Sequence, residues 1–502
     1  MALQRNIAVN YISQLYNGLI GIIVMPFYLK FLGAESYGLI AFFMLLQTWF
    51  YLLDVGLSQT LSRETVRFKN NVLSATHFFK LYHYISIIFF ALALSLVLVL
   101  SLSNQWIATH WLKFSHLSLR DVLLCLQIMF ICAGLRCMGG IYRGVIQGFE
   151  KIVWISIFNI VINTLRFVVV IPVLYVFDFQ IQVYFYFQLG VALFEFAVLW
   201  FYHRVLIKQH DPMHLDMMPE SANYFKQMLY FALLSGGNFI LWLGISQSDK
   251  LLLSSLLPLA DYAYYSIAIL LASVIYMIST PMSNVLLPRM TALFSQNNLL
   301  QLEQIYTQFA QFISVVVCSI ALTIFWNAHE VVLLWSNDVH TADQVAPVLK
   351  LYILGNVFLA INAFSYYIQY AHGDVKRHFY GNVCLLILML PIIYWATTHY
   401  GALGAGVVWL SLHALWFFSW TIYVNRHFIT HYWQWSFTII QILVVSYIFS
   451  ALLHWLYQGM NIYADSIWID LLALALFGGL LFAVTAVSAP AIRQFLQQKL
   501  RG

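Results

Sequence analysis

The chain alternates long apolar stretches with short polar ones, and neither the two-residue period of a strand nor the single stripe of a soluble helix dominates. Apolar windows bounded by charge, proline or glycine predict helices over 7–29, 38–58, 78–102, 121–142, 152–177 and 181–207. After a polar interval come 228–257, 263–287, 306–327, 347–370, 379–398, 402–425, 438–457 and 467–489. Each window is close to the roughly 20 apolar residues that cross a hydrocarbon core. The fold class that follows is an all-α polytopic membrane protein with about 14 transmembrane helices. An even count puts both termini on one side.

Placing the basic residues on that pattern orients it. With the N-terminus cytoplasmic, 18 of the 24 Lys and Arg fall at inner turns and four (Lys30, Lys113, Arg120, Lys350) at outer ones, while Arg166 and Lys250 lie within spans. The asymmetry is what the positive-inside rule requires. Composition agrees: 62% of the 502 residues are apolar and 9% charged, against about 25% charged in soluble domains. Soluble, disordered and disulfide-scaffold classes are excluded. A net charge of +5 spread over loops offers no basic face for nucleic acid. The five cysteines (Cys125, Cys132, Cys137, Cys318, Cys384) form no CxxC pair and are expected to pack in helices. Trp106, Trp111, Trp335, Trp433, Trp435 and Trp468 fall near span ends, as an interfacial belt would. The N-terminal apolar segment lacks a small-residue cleavage site and is expected to remain as the first span.

An internal repeat organises the spans. At an offset of 225, Tyr37 meets Tyr262, Leu45 and Leu46 meet Leu270 and Leu271, and Tyr51 meets Tyr276. In the same register Ser58, Leu61, Tyr142, Gly148 and Lys151 meet Ser283, Leu286, Tyr367, Gly373 and Lys376. Six spans separate the copies, so corresponding residues keep the same membrane orientation. The expected domains are an N-lobe of six helices at 1–207, a cytoplasmic linker at 208–226 with two prolines, a C-lobe at 227–425, and two further helices with a basic tail at 426–502.

Three segments resemble the bacterial oligosaccharide flippases, the Wzx-type O-antigen and capsule-unit translocases of the multidrug/oligosaccharidyl-lipid/polysaccharide exporter superfamily. The first, Pro26 to Arg67, carries an LG-x-x-x-YG turn (Leu32, Gly33, Tyr37, Gly38) and a D-x-G-L helix end (Asp54, Gly56, Leu57). The second is YRGVIQGFEK, from Tyr142 to Lys151, and the third SDKLLLSSLLPLADYAYYSIAILL, from Ser248 to Leu271, where Ala263 departs from the usual glycine. The resemblance implies translocation of undecaprenyl-pyrophosphate-linked repeat units between leaflets of the bacterial inner membrane by alternating access. It implies no cofactor, a coupling ion such as H+ or Na+, and membrane lipid, a polysaccharide polymerase and a chain-length regulator as partners.

A charged sugar head dragged past hydrocarbon needs hydrogen-bond partners and fixed positive charge. Ionisable groups inside spans cost about 2.5–3.5 kcal/mol each, so the few present are candidates. Arg166 and Glu195 each lie fourteen residues into neighbouring antiparallel spans, at depths that agree within about 5 Å. They form either a structural ion pair or a pyrophosphate or sugar contact (Arg166) with Glu195 as its tuning partner or a proton-coupling carboxylate. Asp249 and Lys250, adjacent on a helix, point about 100° apart. They need separate partners, or the helix breaks at GISQSDK; they either line a cavity, Lys250 as a substrate-binding candidate and Asp249 in an ion-coupling or charge network, or form a buried structural network. Asp54 ends the second span near Arg63, as a helix-end pair or a member of a charge network. Asn6, Asn10, Gln14 and Asn17 share a face of the first helix and either face the cavity or pack between helices, Asn10 and Asn17 being the substrate-binding candidates. His413, mid-span, either senses protons or packs.

Two other classes compete. A multidrug or cation antiporter shares the superfamily architecture but would favour twelve spans and a carboxylate-rich cavity. A membrane polymerase or acyltransferase needs catalytic groups in a long outer loop, and the outer loops at 103–120 and 328–346 are short and are expected to lack a convergent acid–base pair. No GxxxxGK[ST] sequence supports an ATP-driven pump, and 59–77 lacks the pattern of a major-facilitator symporter.

Overall fold

The computed structural model describes residues 2–50, 56–209, 224–459 and 467–493, all the named elements being helices. Without water in the hydrocarbon, a backbone must satisfy its own hydrogen bonds, and the helix does so within one segment. Contacts divide the chain into two compact units, Met1–Ala263 and Tyr264–Gly502.

The first unit runs through α1 (Ala2–Leu32), α2 (Ala34–Phe50), α3 (Leu57–Lys69) and α4 (Ala75–Leu102). A short α5 (Asn104–Trp106) enters a π-helical turn, Ile107–Trp111, before α6 (Leu119–Gly148). Then α7 (Ile152–Thr164) is joined by a second π turn, Leu165–Val169, to α8 (Val170–Val176), followed by α9 (Ile181–Gln209) and α10 (Tyr224–Leu256). Helix α11 (Leu259–Ala272) leads into the second unit, which contains α12 (Val274–Ser295), α13 (Leu299–Trp326), α14 (Ala328–Ser336), α15 (Val339–Ala371) and α16 (Val375–Trp416). A third π turn, Phe417–Thr421, connects to α17 (Ile422–Phe428), and α18 (Tyr432–Gly459) and α19 (Ile467–Ser488) complete it.

Eleven described helices are long and apolar enough to cross a membrane. One of them, Val375–Phe428, has 54 residues and is broken at Gly401 (φ 59°, ψ −145°). It contains both windows expected at 379–398 and 402–425, while those at 38–58 and 228–257 are not among the eleven. The repeat reappears in the elements. Helices α2 and α11 begin at Ala34 and Leu259, 225 residues apart, and α4 and α13 at Ala75 and Leu299, 224 apart.

Helix starts follow side-chain capping. Ser74, Ser118, Asn298, Asp338 and Asp374 each accept a backbone N–H three residues on, opening α4, α6, α13, α15 and α16. The core of the first unit gathers Leu61, Phe68, Phe78, Ile85, Phe89, Val145 and Leu199 from α3, α4, α6 and α9, with the Phe68 and Phe78 rings stacked at 4.3 Å. Helix α4 turns the opposite face outward, with Tyr84, Ile87, Phe90, Leu94 and Leu98 exposed, as lipid-facing side chains are. Two sequence expectations change here. Trp435 is buried against Tyr306 and Phe417 instead of sitting in the interfacial belt, and Cys384 is exposed while the other four cysteines are buried.

Candidate functional site

Polar side chains inside the first unit converge because of their spacing. On α6, Arg136 and Arg143 are seven residues apart, two turns along one face, and on α9 Gln188 and Glu195 repeat that interval. The two helices pack in the same direction, so the pairs meet in order. Arg143 Nη2 donates to Glu195 Oε1 at 2.5 Å and Arg136 Nε lies 3.6 Å from Glu195 Oε2. Arg136 Nη2 reaches Gln188 Oε1 at 3.4 Å, and Arg143 Nη1 donates to Asn159 Oδ1 on α7 at 2.6 Å.

Arg166 enters from the π turn Leu165–Val169. An inserted π residue displaces carbonyls from the regular helical ladder, and two are taken up by side chains. Gln188 Nε2 donates to the Arg166 carbonyl at 2.8 Å and the Tyr28 hydroxyl to that of Phe167 at 2.6 Å. The guanidinium of Arg166 donates through Nη2 to Gln47 Oε1 on α2 at 2.6 Å, and Arg136 Nη1 donates to the same oxygen. Arg166 Nη1 also reaches Asn163 Oδ1 at 3.5 Å, and Asn163 Nδ2 donates to Asn17 Oδ1 at 2.8 Å. Asn17 in turn donates to Ser13 Oγ at 3.3 Å, whose hydroxyl bonds the Ser156 carbonyl. Arg166 and Asn17, both expected as substrate contacts from sequence, therefore belong to one hydrogen-bonded chain.

The expected pairing of Arg166 with Glu195 is corrected. Glu195 binds Arg143 and Arg136, while Arg166 joins them through Gln47 and Gln188. Equal depth did not decide the partner, since packing of α6 on α9 brings two other guanidiniums to the carboxylate first. Arg136 lies six residues from the cytoplasmic end of the window 121–142 and is counted above with the inner turn, so the mid-span criterion that picked out Arg166 passes it over. Gln47 and Gln188 were legible as polar residues inside 38–58 and 181–207.

The remaining candidates fall elsewhere. Asp54 lies outside the described residues. Asn10 is half-buried on α1, and Gln14, expected on the same face, is exposed. Helix α10 runs unbroken through GISQSDK, so of the two alternatives the helix break does not hold. Local bonds hold its polar groups: Asp249 Oδ1 accepts the Lys250 N–H at 2.8 Å, and Lys250 Nζ donates to Gln247 Oε1 at 2.8 Å. In the second unit His413 is fully buried, its Nδ1 on the Trp409 carbonyl at 2.8 Å and its ring 4.3 Å from that of Trp409. The His413 carbonyl accepts from Asn362, whose Oδ1 accepts from Thr421 in the third π turn. No group of three His, Cys, Asp or Glu suited to a metal occurs among the described residues.

The cluster of the first unit is rich in donors and poor in acceptors. Two guanidiniums, Arg136 and Arg143, lie against one carboxylate and a third, Arg166, joins them through Gln47, while Gln47 Nε2 is buried with no hydrogen-bond partner among the described residues. Guanidinium can only donate, so such a site is completed by a ligand that accepts from several directions and carries negative charge.

Comparison with known proteins adds independent findings. A family model described as "Polysaccharide biosynthesis protein" matches residues 3–294, and one described as MatE matches 235–395. No curated protein matches the sequence. The fold is similar to that of a lipid II flippase MurJ in an inward closed conformation, with TM-score 0.73 and 14% identity over 96% of this chain and 98% of that one. It is also similar to an inward-facing multidrug resistance MATE transporter of the MOP superfamily, with TM-score 0.67 and 14% identity over 84% and 96%.

Proposed function

From the premise that this chain belongs to the polysaccharide biosynthesis protein family, we propose that it is a flippase, moving undecaprenyl-pyrophosphate-linked oligosaccharide repeat units from the cytoplasmic to the periplasmic leaflet of a bacterial inner membrane. Alternating access of two lobes, 1–207 and 227–425, would carry the head group, with H+ or Na+ gradients as the energy source. The observation that carries this reading is a polar cluster inside the first unit that holds three guanidiniums and a single carboxylate, two of them on Glu195 and the third linked through Gln47. Diphosphate oxygens are acceptors only, and Arg136, Arg143 and Arg166 supply charge-assisted donors to offset their desolvation. Asn17 and Asn163 extend the cluster with neutral amides of the kind that bond sugar hydroxyls.

The MatE match over 235–395 favours one second reading, a multidrug or cation antiporter. A cationic interior in the first unit opposes it, because a cationic drug would meet like charge. Deletion of the gene followed by lipid analysis separates the two. Undecaprenyl-linked repeat units accumulating on the cytoplasmic leaflet, cleared by re-expressing this chain, are the expected result. Normal surface glycan in the deletion strain, together with dye export by the chain, would sink the flippase reading. Within the site, Arg166→Ala should abolish rescue at normal protein level, and Arg166→Lys, which cannot fork between Gln47 and Asn163, should restore only part of it.

A further inference from the structure

Gln47 occupies an unusual seat. It is buried on α2, eight per cent exposed, and its Oε1 accepts from both Arg136 and Arg166. Both neighbours can only donate, so the atom between them must be the oxygen. That orientation turns Nε2 away, into a position where the buried amide has no hydrogen-bond partner among the described residues. A neutral oxygen thus stands where two like charges converge, at the expense of two unmatched donors on the same side chain. Such an arrangement suits a place-holder better than a structural bridge, because a carboxylate of identical shape would satisfy both guanidiniums more strongly.

We infer that Gln47 is a displaceable stand-in for a substrate oxygen: its carboxamide holds the two-guanidinium seat until a phosphate oxygen takes it, whereupon the freed Nε2 donates to the same anion. This rests on the diphosphate reading of the cluster and adds a specificity determinant to it. The seat accepts an oxygen that brings negative charge, since only that gains over the carboxamide. Neutral sugar hydroxyls do not displace it. A glutamate at 47 would close the seat by serving as its own anion.

Purified protein in a neutral detergent, titrated with inorganic pyrophosphate and followed by calorimetry and thermal unfolding, tests this. Gln47→Glu should raise the unfolding temperature of the unloaded protein and weaken pyrophosphate binding at least tenfold. Gln47→Ala, which removes the place-holder and its Nε2 donor together, should lower the unloaded unfolding temperature and weaken pyrophosphate binding less than Gln47→Glu does. Gln47→Glu that unfolds earlier than the parent, or binds pyrophosphate equally, overturns the stand-in role and leaves the anion cluster standing. If neither the parent nor Gln47→Ala binds pyrophosphate, the seat itself is wrong, a result separate from the lipid analysis that tests transport. Equal displacement of pyrophosphate in nanodiscs containing cardiolipin would assign the seat to bulk anionic lipid and overturn the substrate role.

Discussion

Glu195 and Glu35 show how a single carboxylate is used in two settings. Glu195 is buried, with Arg143 at 2.5 Å and Arg136 at 3.6 Å. Removing one member of a buried pair leaves an uncompensated charge, at a cost of about 3–5 kcal/mol. Glu195→Ala should therefore lower the unfolding temperature in detergent far more than Arg136→Ala, which leaves Glu195 its bond to Arg143. Glu35, ahead of the second apolar window, clasps the turn before α6: Ser115 N and Oγ bind Oε1 at 2.7 Å, and His116 N and Leu117 N bind Oε2 at 2.8 and 3.0 Å. Burial pushes its pKa up, but these donors outweigh burial and hold it below the ordinary carboxylate value. A lowered folded-state value means stabilisation that is complete above the unfolded value, near pH 4.3, and lost as pH falls through the folded one. Unfolding temperature measured from pH 7 down to pH 3 should drop less steeply in Glu35→Gln than in the parent, because the variant has already lost the charge, at a cost of about 1–3 kcal/mol at neutral pH.

At the scale of elements, glycines decide how closely helices approach. A Cβ on Gly144 would stand 2.6 Å from the Ser58 carbonyl oxygen, and one on Gly148 would stand 2.4 Å from Thr65 Cβ, so α3 lies against α6 only because both are glycine. Gly56, at φ 74°, supplies the left-handed residue from which α3 starts. These positions belong to the D-x-G-L and RG-x-x-QG segments, whose spacing was visible in sequence while the partner helix was not. Gly148→Val should cost about 1–3 kcal/mol by overpacking, read as a loss of detergent-stable protein. Gly190→Ala, with open space around it, should unfold with the parent.

For the whole molecule, the sidedness set by the basic residues is open to direct labelling. Four cysteines are buried and Cys384 is exposed, so a Cys384→Ser background is suitable for single-cysteine probes. Val72, in the turn after α3, and Val339, the first residue of α15, are 66% and 59% exposed and are expected on opposite faces. A membrane-impermeant maleimide added to intact spheroplasts should label Val339→Cys and leave Val72→Cys unlabelled until the membrane is broken. The reverse pattern would invert the topology and with it the proposed direction of transport.

Much was decided by sequence alone, because a bilayer imposes a one-dimensional test: a segment is apolar for about 20 residues or it is not. Helical class and the interruption near Gly401 follow from that test, and the 225-residue register follows from residue identities along the chain. Partner choice does not, because depth along the chain leaves rotation about each helix undetermined. Only the tertiary structure turned Arg136 and Arg143 toward Glu195, placed Gln47 between two arginines, and kept α10 continuous where polarity suggested a break. Those outcomes depend on which faces pack, through contacts between residues 50 to 120 positions apart that no local pattern encodes.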